Sequence, residues 1–496
     1  MNTALIMIFG FLTISLYLGI RARKGKEMDL EQWTVGGRGF GAIFVFLLMA
    51  GEIYTTFTFL GASGWAYGKG APAFYILCYA CLAYVMSYWL LPAIWRYAKH
   101  QKLVSQSDFF VSKYKSPYLG VLVSLVGVSA LIPYLVLQFK GLGIIVSTAS
   151  YGSISSATAI WIGAISVAVY VTISGIHGSA WTAALKDIMI FVVILFMGLY
   201  IPFHYYGGIQ PMFEAVEAAK PGFLTLPEKG YSVSWFISTV LLVAFGFYMW
   251  PHYFGAVYSA KNEKVFRKNA MVMPLYQLVL LFIFFVGFSA ILQVPGLQGA
   301  DVDQSLLHLT LKTFDPWLVG VVGAAGLLTA IVPGSLILMT ACTLLAKNVY
   351  HVFSDSASDQ QVSKVAKFLV PVVSLVTVYF ALRGGNTIVA LLLMGYSLVT
   401  QLLPAMIFSL MKNNFISKYG AFAGIVAGVA TVAYTTLTET TIGNLFPALP
   451  QVIQDLNIGI VALIVNILVM VVVSLVAKNE AISKKTEDAT PAQETF

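Results

Sequence analysis

Four ionisable side chains lie deep within long apolar runs, and any chemistry in this chain starts with them. Glu52 interrupts the run AIFVFLLMAGEIYTTFTFLGASGWAYGKG, Lys140 lies in VLQFKGLG, and Lys186 and Asp187 adjoin in AWTAALKDIMIF. A charge at the middle of a membrane helix costs about 2.5–3.5 kcal/mol on insertion scales, so each needs a reason to be there. Glu52 has two readings: a carboxylate capping free amides of a broken helix, or a proton carrier or cation ligand. Lys186 and Asp187 are adjacent and point about 100° apart on a helix, so they are not expected to pair side by side. Snorkelling to the interface is one account of Lys186; a coupling role for Lys186 and Asp187 is the other. Lys140 reads either as an interfacial lysine or as a contact for an anionic solute.

Other chemistries lack their residues. The histidines, at 100, 177, 204, 252, 308 and 351, are scattered without ligand spacing. Cys78 and Cys81 are one turn apart in AFYILCYACLAYVMSYWLL and read as small apolar side chains; Cys342 is alone. GGRGFG does not follow a strand, so it is no phosphate cradle. No enzyme and no organic cofactor are expected. A sensor would need a soluble module, and the short polar tail is too small to be one.

The elements that must hold these residues follow from hydropathy. Of 496 residues, 59% are hydrophobic and 10% charged, with a mean hydropathy of +0.84. Soluble chains average near 25% charged, so a water-facing surface is excluded. A membrane helix needs about 20 apolar residues. The chain offers about thirteen such segments: 4–20, 41–66, 73–95, 117–148, 156–175, 180–203, 233–256, 271–293, 316–346, 364–384, 386–411, 420–438 and 455–477. The fold class expected is an all-α polytopic membrane protein.

The net charge of +8 does not point to nucleic acid, because Lys and Arg fall in short clusters between apolar runs. Alternate loops hold 22 of them, among them Arg21, Arg38, Arg96, Lys113, Lys261, Lys347 and Lys412. The other loops hold five: Lys69, Lys220, Lys229, Lys312 and Arg383. The positive-inside rule then places the N-terminus outside and the C-terminus in the cytoplasm of a cell-membrane protein. The first apolar run carries its positive charges after it, the reverse of a cleavable signal. The partners expected are lipid and a small solute.

Two segments are interrupted midway. The second carries Gly51, Glu52, Thr55, Thr56, Thr58 and Gly61; the seventh carries Gly246, Pro251, His252 and Gly255. Unwound backbone at membrane depth survives only where protein encloses it or where it lines a cavity. A pair of interrupted helices in corresponding positions points to a carrier's binding site. The offset of five helices is odd, so two five-helix units would be inverted relative to each other.

These features resemble the sodium:solute symporter family over nearly the whole membrane portion. The likeness lies in the loop VGGRGFG (35–41), the stretch TTFTFLGASGWAYGKG (55–70), the sixth-helix opening SGIHGSAWTAALKD (174–187) and the seventh-helix end with its Pro and Tyr-x-Ala-Lys. Each motif is weak alone, and together they occur in order on matching helices. The resemblance implies inverted five-helix repeats as in the leucine-transporter architecture. On that plan residues 1–40 hold the first helix and a cytoplasmic loop. Residues 41–203 form the first repeat and 204–411 the second, with extracellular loops. Two further helices fill 412–477, and 478–496 is a disordered cytoplasmic tail. The resemblance also implies a sodium site between the second and ninth helices, on Gly51, Tyr54, Thr55 and Thr329.

The chain departs from the family at that site. The two ninth-helix hydroxyl positions fall on Val332 and Pro333, leaving Thr329 and Ser335 as the nearest substitutes. The sixth-helix Asp and Gln positions fall on Ala183 and Lys186. A tethered ammonium at 186 can replace a bound cation, with Glu52 or Lys186 then changing protonation. Sodium is the first reading for the coupling ion and protons the alternative. The Lys-Asp pair and the ninth-helix Ile-Val-Pro look like the monocarboxylate-permease branch. A short organic acid is the first expectation for the solute and an amino acid the second. Tyr248, Trp250 and His252, facing Thr56 and Thr58, are candidates for the pocket lining, with Lys140 as a possible anion contact; packing is the competing reading for the aromatics. On the sodium reading, uptake stops in sodium-free buffer at every pH. Undiminished uptake there removes sodium, and pH-driven uptake surviving Lys186→Gln removes the lysine's role.

Overall fold

A computed structural model describes residues 2–23, 29–354 and 358–488. Among them, eleven helices are long and apolar enough to cross a membrane, and a bent pair, Val233–Met249 with Pro251–Ser259, supplies a twelfth. Against the roughly thirteen expected, the interrupted second segment falls short of that test, because its pieces, Ala42–Gly51 and Ala62–Lys69, are each too short. The helices used below are α1 (Thr3–Arg23), α2 (Ala42–Gly51), α3 (Ala62–Lys69), α4 (Tyr75–His100), α5 (Pro117–Ala149), α6 (Ser156–Tyr206), α7 (Val233–Gly246), α8 (Pro251–Ser259), α9 (Lys264–Gln277), α10 (Leu280–Gln293), α11 (Pro316–Thr343), α12 (Asp359–Arg383), α13 (Ile388–Val399), α14 (Leu403–Leu410), α15 (Lys418–Leu437) and α16 (Ile458–Asp488). The tail expected to be disordered divides: 478–488 continue α16, and 489–496 lie outside the described residues.

Burial sorts the spans. α11 is buried almost throughout, and α5 over most of its length. α1 and α16 show most of their surface, as helices facing lipid do. The fifth and sixth spans, expected as separate helices, are joined through one residue. Gly175 adopts φ 53°, ψ −151°, a conformation open to glycine, and a Cβ there would lie 2.5 Å from the Trp33 ring.

The two interruptions are real and differ in kind. After α2 the chain leaves the helix at Glu52 and re-enters through one wide π-type turn, Phe57–Gly61, before α3. Threonines replace the lost helical bonds. Thr58 Oγ1 donates to Ile53 O (2.8 Å) and accepts from Thr55 N (3.0 Å), while Thr55 Oγ1 accepts from Phe57 N (3.1 Å). After α7 a 3₁₀ turn, Phe247–Met249, leads to extended Trp250, and Pro251 starts α8, bent 54° from the preceding piece. A proline disfavours helical backbone before it and suits the first position of a helix, which explains the break at this point.

Each end of the bundle is tied by a polar clasp. At the end with the basic loops, a short helix, Gln106–Tyr114, opens with a capping box between Ser105 and Asp108. Asp108 also accepts from Lys347 Nζ (2.7 Å) and Asn348 Nδ2 (2.8 Å) beyond α11. Burial opposes its charge, but Lys347, Asn348 and the Val104 amide outweigh burial and hold the carboxyl below its usual range. At the opposite end, Gly299–Gln304 and Ser305–Thr313 lie over α3, with Gly64 against the backbone of Val302 and Asp303. Asp303 Oδ2 accepts from Ile388 N (2.9 Å) at the start of α13.

Asp303 is fully buried, and burial pushes its carboxyl up to about 6, against the pull of the Ile388 amide and Lys140. A raised acid favours the folded state most below its unfolded value, and that contribution is lost as pH rises through about 6. Asp303→Asn keeps an acceptor for Ile388 N without the buried charge. Melting curves across pH should therefore show the variant gaining on the wild type between pH 4 and 7; a constant difference refutes the assignment.

Candidate functional site

The two breaks meet. His252 Nε2, in the first turn of α8, lies 2.8 Å from Glu52 Oε2 at the end of α2, and both side chains are fully buried. The contact is close but not aligned as a hydrogen bond. Glu52 therefore reaches across to the other interruption, and neither of its carboxyl oxygens bonds a backbone amide. Tyr134 of α5 donates to Glu52 O (3.2 Å), and its ring packs on Trp250 (4.8 Å) and His252 (5.4 Å). Trp250 meets Tyr396 of α13 edge-on at 5.2 Å.

One turn further along α5, Gln138 Oε1 accepts from Thr56 N (3.4 Å). Gly141 lets Thr56 approach: a Cβ at 141 would lie 2.0 Å from Thr56 Cγ2. Around this junction several buried polar atoms have no partner: Glu52 Oε1, Thr56 Oγ1, Gln138 Nε2 and His252 Nδ1. An unmet buried group costs about 1–3 kcal/mol. Four within one junction mark a place where something else completes the bonding.

The cation candidates divide. Lys186 Nζ donates to Gly51 O (2.9 Å) and Tyr54 O (3.0 Å), both in the first break. Asp187 Oδ1 lies 3.1 Å away, and Lys186 is fully buried. Two expectations are corrected here. Lys186 does not snorkel, because carbonyls in the break take up its donors. It does approach Asp187: adjacent positions diverge at Cβ, but four methylenes let the ammonium fold back. Thr55 sits in the break, but its hydroxyl serves Phe57 N.

Thr329 and Ser335 lie on α11, where each hydroxyl donates within its own helix and keeps acceptor lone pairs on its oxygen. Thr329 donates to Gly326 O of its own helix. Ser335 donates to Val332 O and shares a hydrogen bond with Ser179 (2.8 Å).

The pocket candidates divide as well. Thr56, Trp250 and His252 converge at the junction. Thr58 closes the first break with its hydroxyl, and Tyr248 packs edge-on to Phe247 and Tyr253. Lys140 faces the end away from the basic loops and donates to Asn386 O. Residues not read from the sequence complete the site. Gln138 was overshadowed by the lysine two positions on, and Tyr134 and Tyr396 have no mark distinguishing them from other aromatics in apolar runs.

A cavity of about 640 Å³, lined by Lys102, Asp108, Lys347 and His351, opens at the basic end. Another of about 600 Å³, lined by Trp65, Lys69, Lys220 and Asn386, opens at the opposite end. Neither is lined by Glu52 or His252. Removing one side of a close buried polar pair leaves the other side unmet, at a cost of about 1–3 kcal/mol. Glu52→Ala and His252→Ala should each lower the melting temperature of the purified protein, and the double variant should lose less than their sum. Strict additivity would show that the two breaks are not coupled through this pair.

Residues 33–428 match the family model described as the sodium:solute symporter family. The chain is 71% identical over 478 residues to the uncharacterized symporter YhjB of Bacillus subtilis, covering 96% of this chain and 98% of that one. It is 28% identical over 433 residues to a monocarboxylate transport permease protein of Rhizobium johnstonii, covering 85% and 86%. Its fold superposes on a solved Na+-coupled sialic acid symporter with a TM-score of 0.78, at 15% identity, covering 96% and 98%. With its leucine-transporter-like architecture and a family match across most of its spans, the chain belongs to the sodium:solute symporter family.

Proposed function

We propose that this chain imports a small organic monocarboxylate, bound where the two broken helices meet, in symport with a cation. The observation that carries the reading is the set of unpartnered buried groups at that junction. Thr56 Oγ1 and Gln138 Nε2 are free donors, and a carboxylate is a strong acceptor for both. His252 Nε2 lies 2.8 Å from the Glu52 carboxyl, and a proton held between the two would leave the pair without net charge toward such a solute. The buried Trp250 and Tyr134 rings offer an apolar wall for a short carbon chain. The likeness to a permease named for monocarboxylates supports the same class.

The cation on this reading is sodium, as the family's name implies, and the excess of positive charge in alternate loops supports an outside N-terminus and a cytoplasmic C-terminus. Alternating access would expose the junction first to one end cavity and then to the other. One observation favours a second reading, in which protons drive uptake with Glu52 and Lys186 taking part: Lys186 already holds the carbonyls of Gly51 and Tyr54.

Vesicles containing the protein, offered labelled short monocarboxylates, 2-oxo acids and amino acids under imposed sodium or proton gradients, test this. Concentrative uptake of a monocarboxylate is expected, with KM raised roughly tenfold or more in Gln138→Leu, the scale of one lost charge-assisted hydrogen bond. Concentrative amino-acid uptake indifferent to excess monocarboxylate would overturn the substrate class. Equilibration that ignores both gradients would overturn symport.

A further inference from the structure

A sodium ion and a lysine ammonium ask the same of a protein: several oxygen atoms that accept and do not donate. The first break supplies two, the carbonyls of Gly51 and Tyr54, released where the helix opens. Lys186 Nζ holds them at 2.9 and 3.0 Å, with Asp187 Oδ1 at 3.1 Å. We infer that Lys186 is a tethered resident cation of this carbonyl cage, and that sodium reaches Gly51 and Tyr54 only by displacing it.

The surroundings are shaped for the tether. A Cβ at position 51 would lie 3.3 Å from Lys186 Nζ and 3.7 Å from Ala183 Cβ, so glycine at 51 and a small residue at 183 open the approach. Two unit charges cannot share the same pair of carbonyls, because repulsion at that range in a buried site is large. Displacement also has a destination. Asp187 is buried, neither of its oxygens is aligned with a hydrogen-bond donor, and it already lies within reach of the ammonium. A short swing of Nζ from the carbonyls to that carboxylate would free the cage while keeping the lysine's charge paired.

A tethered competitor acts at an effective concentration of roughly millimolar or above, whatever the ionic composition outside. Lys186 would therefore set a threshold, with sodium loading only where it outcompetes the amine. The inference deepens the symport reading and rests on it for its consequence in transport. Its test contains no solute, so failure to carry a given acid leaves it untouched.

The test is sodium binding to the purified protein, read as sodium-dependent stabilisation or tryptophan-emission change, with choline replacing sodium at constant ionic strength. Lys186→Met keeps the length and removes the charge. Lys186→Met combined with Asp187→Asn also removes the carboxylate that would otherwise be left free. Both should bind sodium about tenfold or more tightly than the wild type, and Lys186→Arg should stay weak. Unchanged or weaker binding in both amine-free variants overturns the inference. So does a gain seen only while Asp187 is present, since attraction to a freed carboxylate would then account for it. Should none of the variants accumulate folded, the wild type still decides: sodium affinity well below about 1 mM is incompatible with a cage held by its own ammonium.

Discussion

A peptide group in hydrocarbon has no water to bond with, so a helix that opens inside a membrane must find partners for every group it frees. That constraint organises this protein. The first break frees the carbonyls of Gly51 and Tyr54, and Lys186 takes both. It also leaves the Thr55 and Phe57 amides outside helical pairing, and the Thr58 and Thr55 hydroxyls take these. The Thr56 amide meets Gln138. The second break needs less, because Pro251 has no amide hydrogen to satisfy. What the constraint leaves unmet is concentrated where the breaks touch, at Glu52 and His252 and the side chains around them.

On the proposed reading, the same geometry would link solute and ion. Glu52 follows Gly51 directly, so the side chain facing the second break and the carbonyl facing Lys186 belong to adjacent residues. A solute that drew Thr56 or His252 toward itself would move the chain that presents the cage to the cation. Coupling of this kind would need no long pathway, since both proposed sites would bias one short unwound segment. The clasps at Asp108 and Asp303 lie at opposite ends of the bundle, each joining a short helical element to a long helix. They are placed where opening one cavity and closing the other would need contacts to part and form.

Much of this was legible in the sequence, for physical reasons that also mark where legibility stopped. Spans are visible because twenty consecutive residues must satisfy the bilayer. Both breaks were visible because glycine, proline and threonine cluster against an apolar background. Of the residues at stake in the first break, Glu52 and Lys186 were singled out by the cost of placing charge in hydrocarbon, and Gly51 and Tyr54 by the family resemblance. The pairing of Glu52 with His252 was not legible, since the two are 200 positions apart and nothing local joins them. Lys186 and Asp187 were misjudged because helical angles describe where Cβ points and not how far a lysine reaches. Thr329 and Ser335 were reached only through the family resemblance, and each hydroxyl donates to a carbonyl of its own helix. Gln138, uncharged, bears no cost large enough to attract notice.

The central claim is that the two interruptions enclose one solute between them. Difference density from crystals grown with a halogenated form of a transported acid tests this most directly, because anomalous scattering locates the halogen without interpretation of the surrounding map. The account predicts a peak between the Glu52–Thr56 segment and the Trp250–His252 segment, within contact distance of both and of Gln138. A peak confined to either end cavity, or outside the bundle, with the junction still closed on itself, would contradict it.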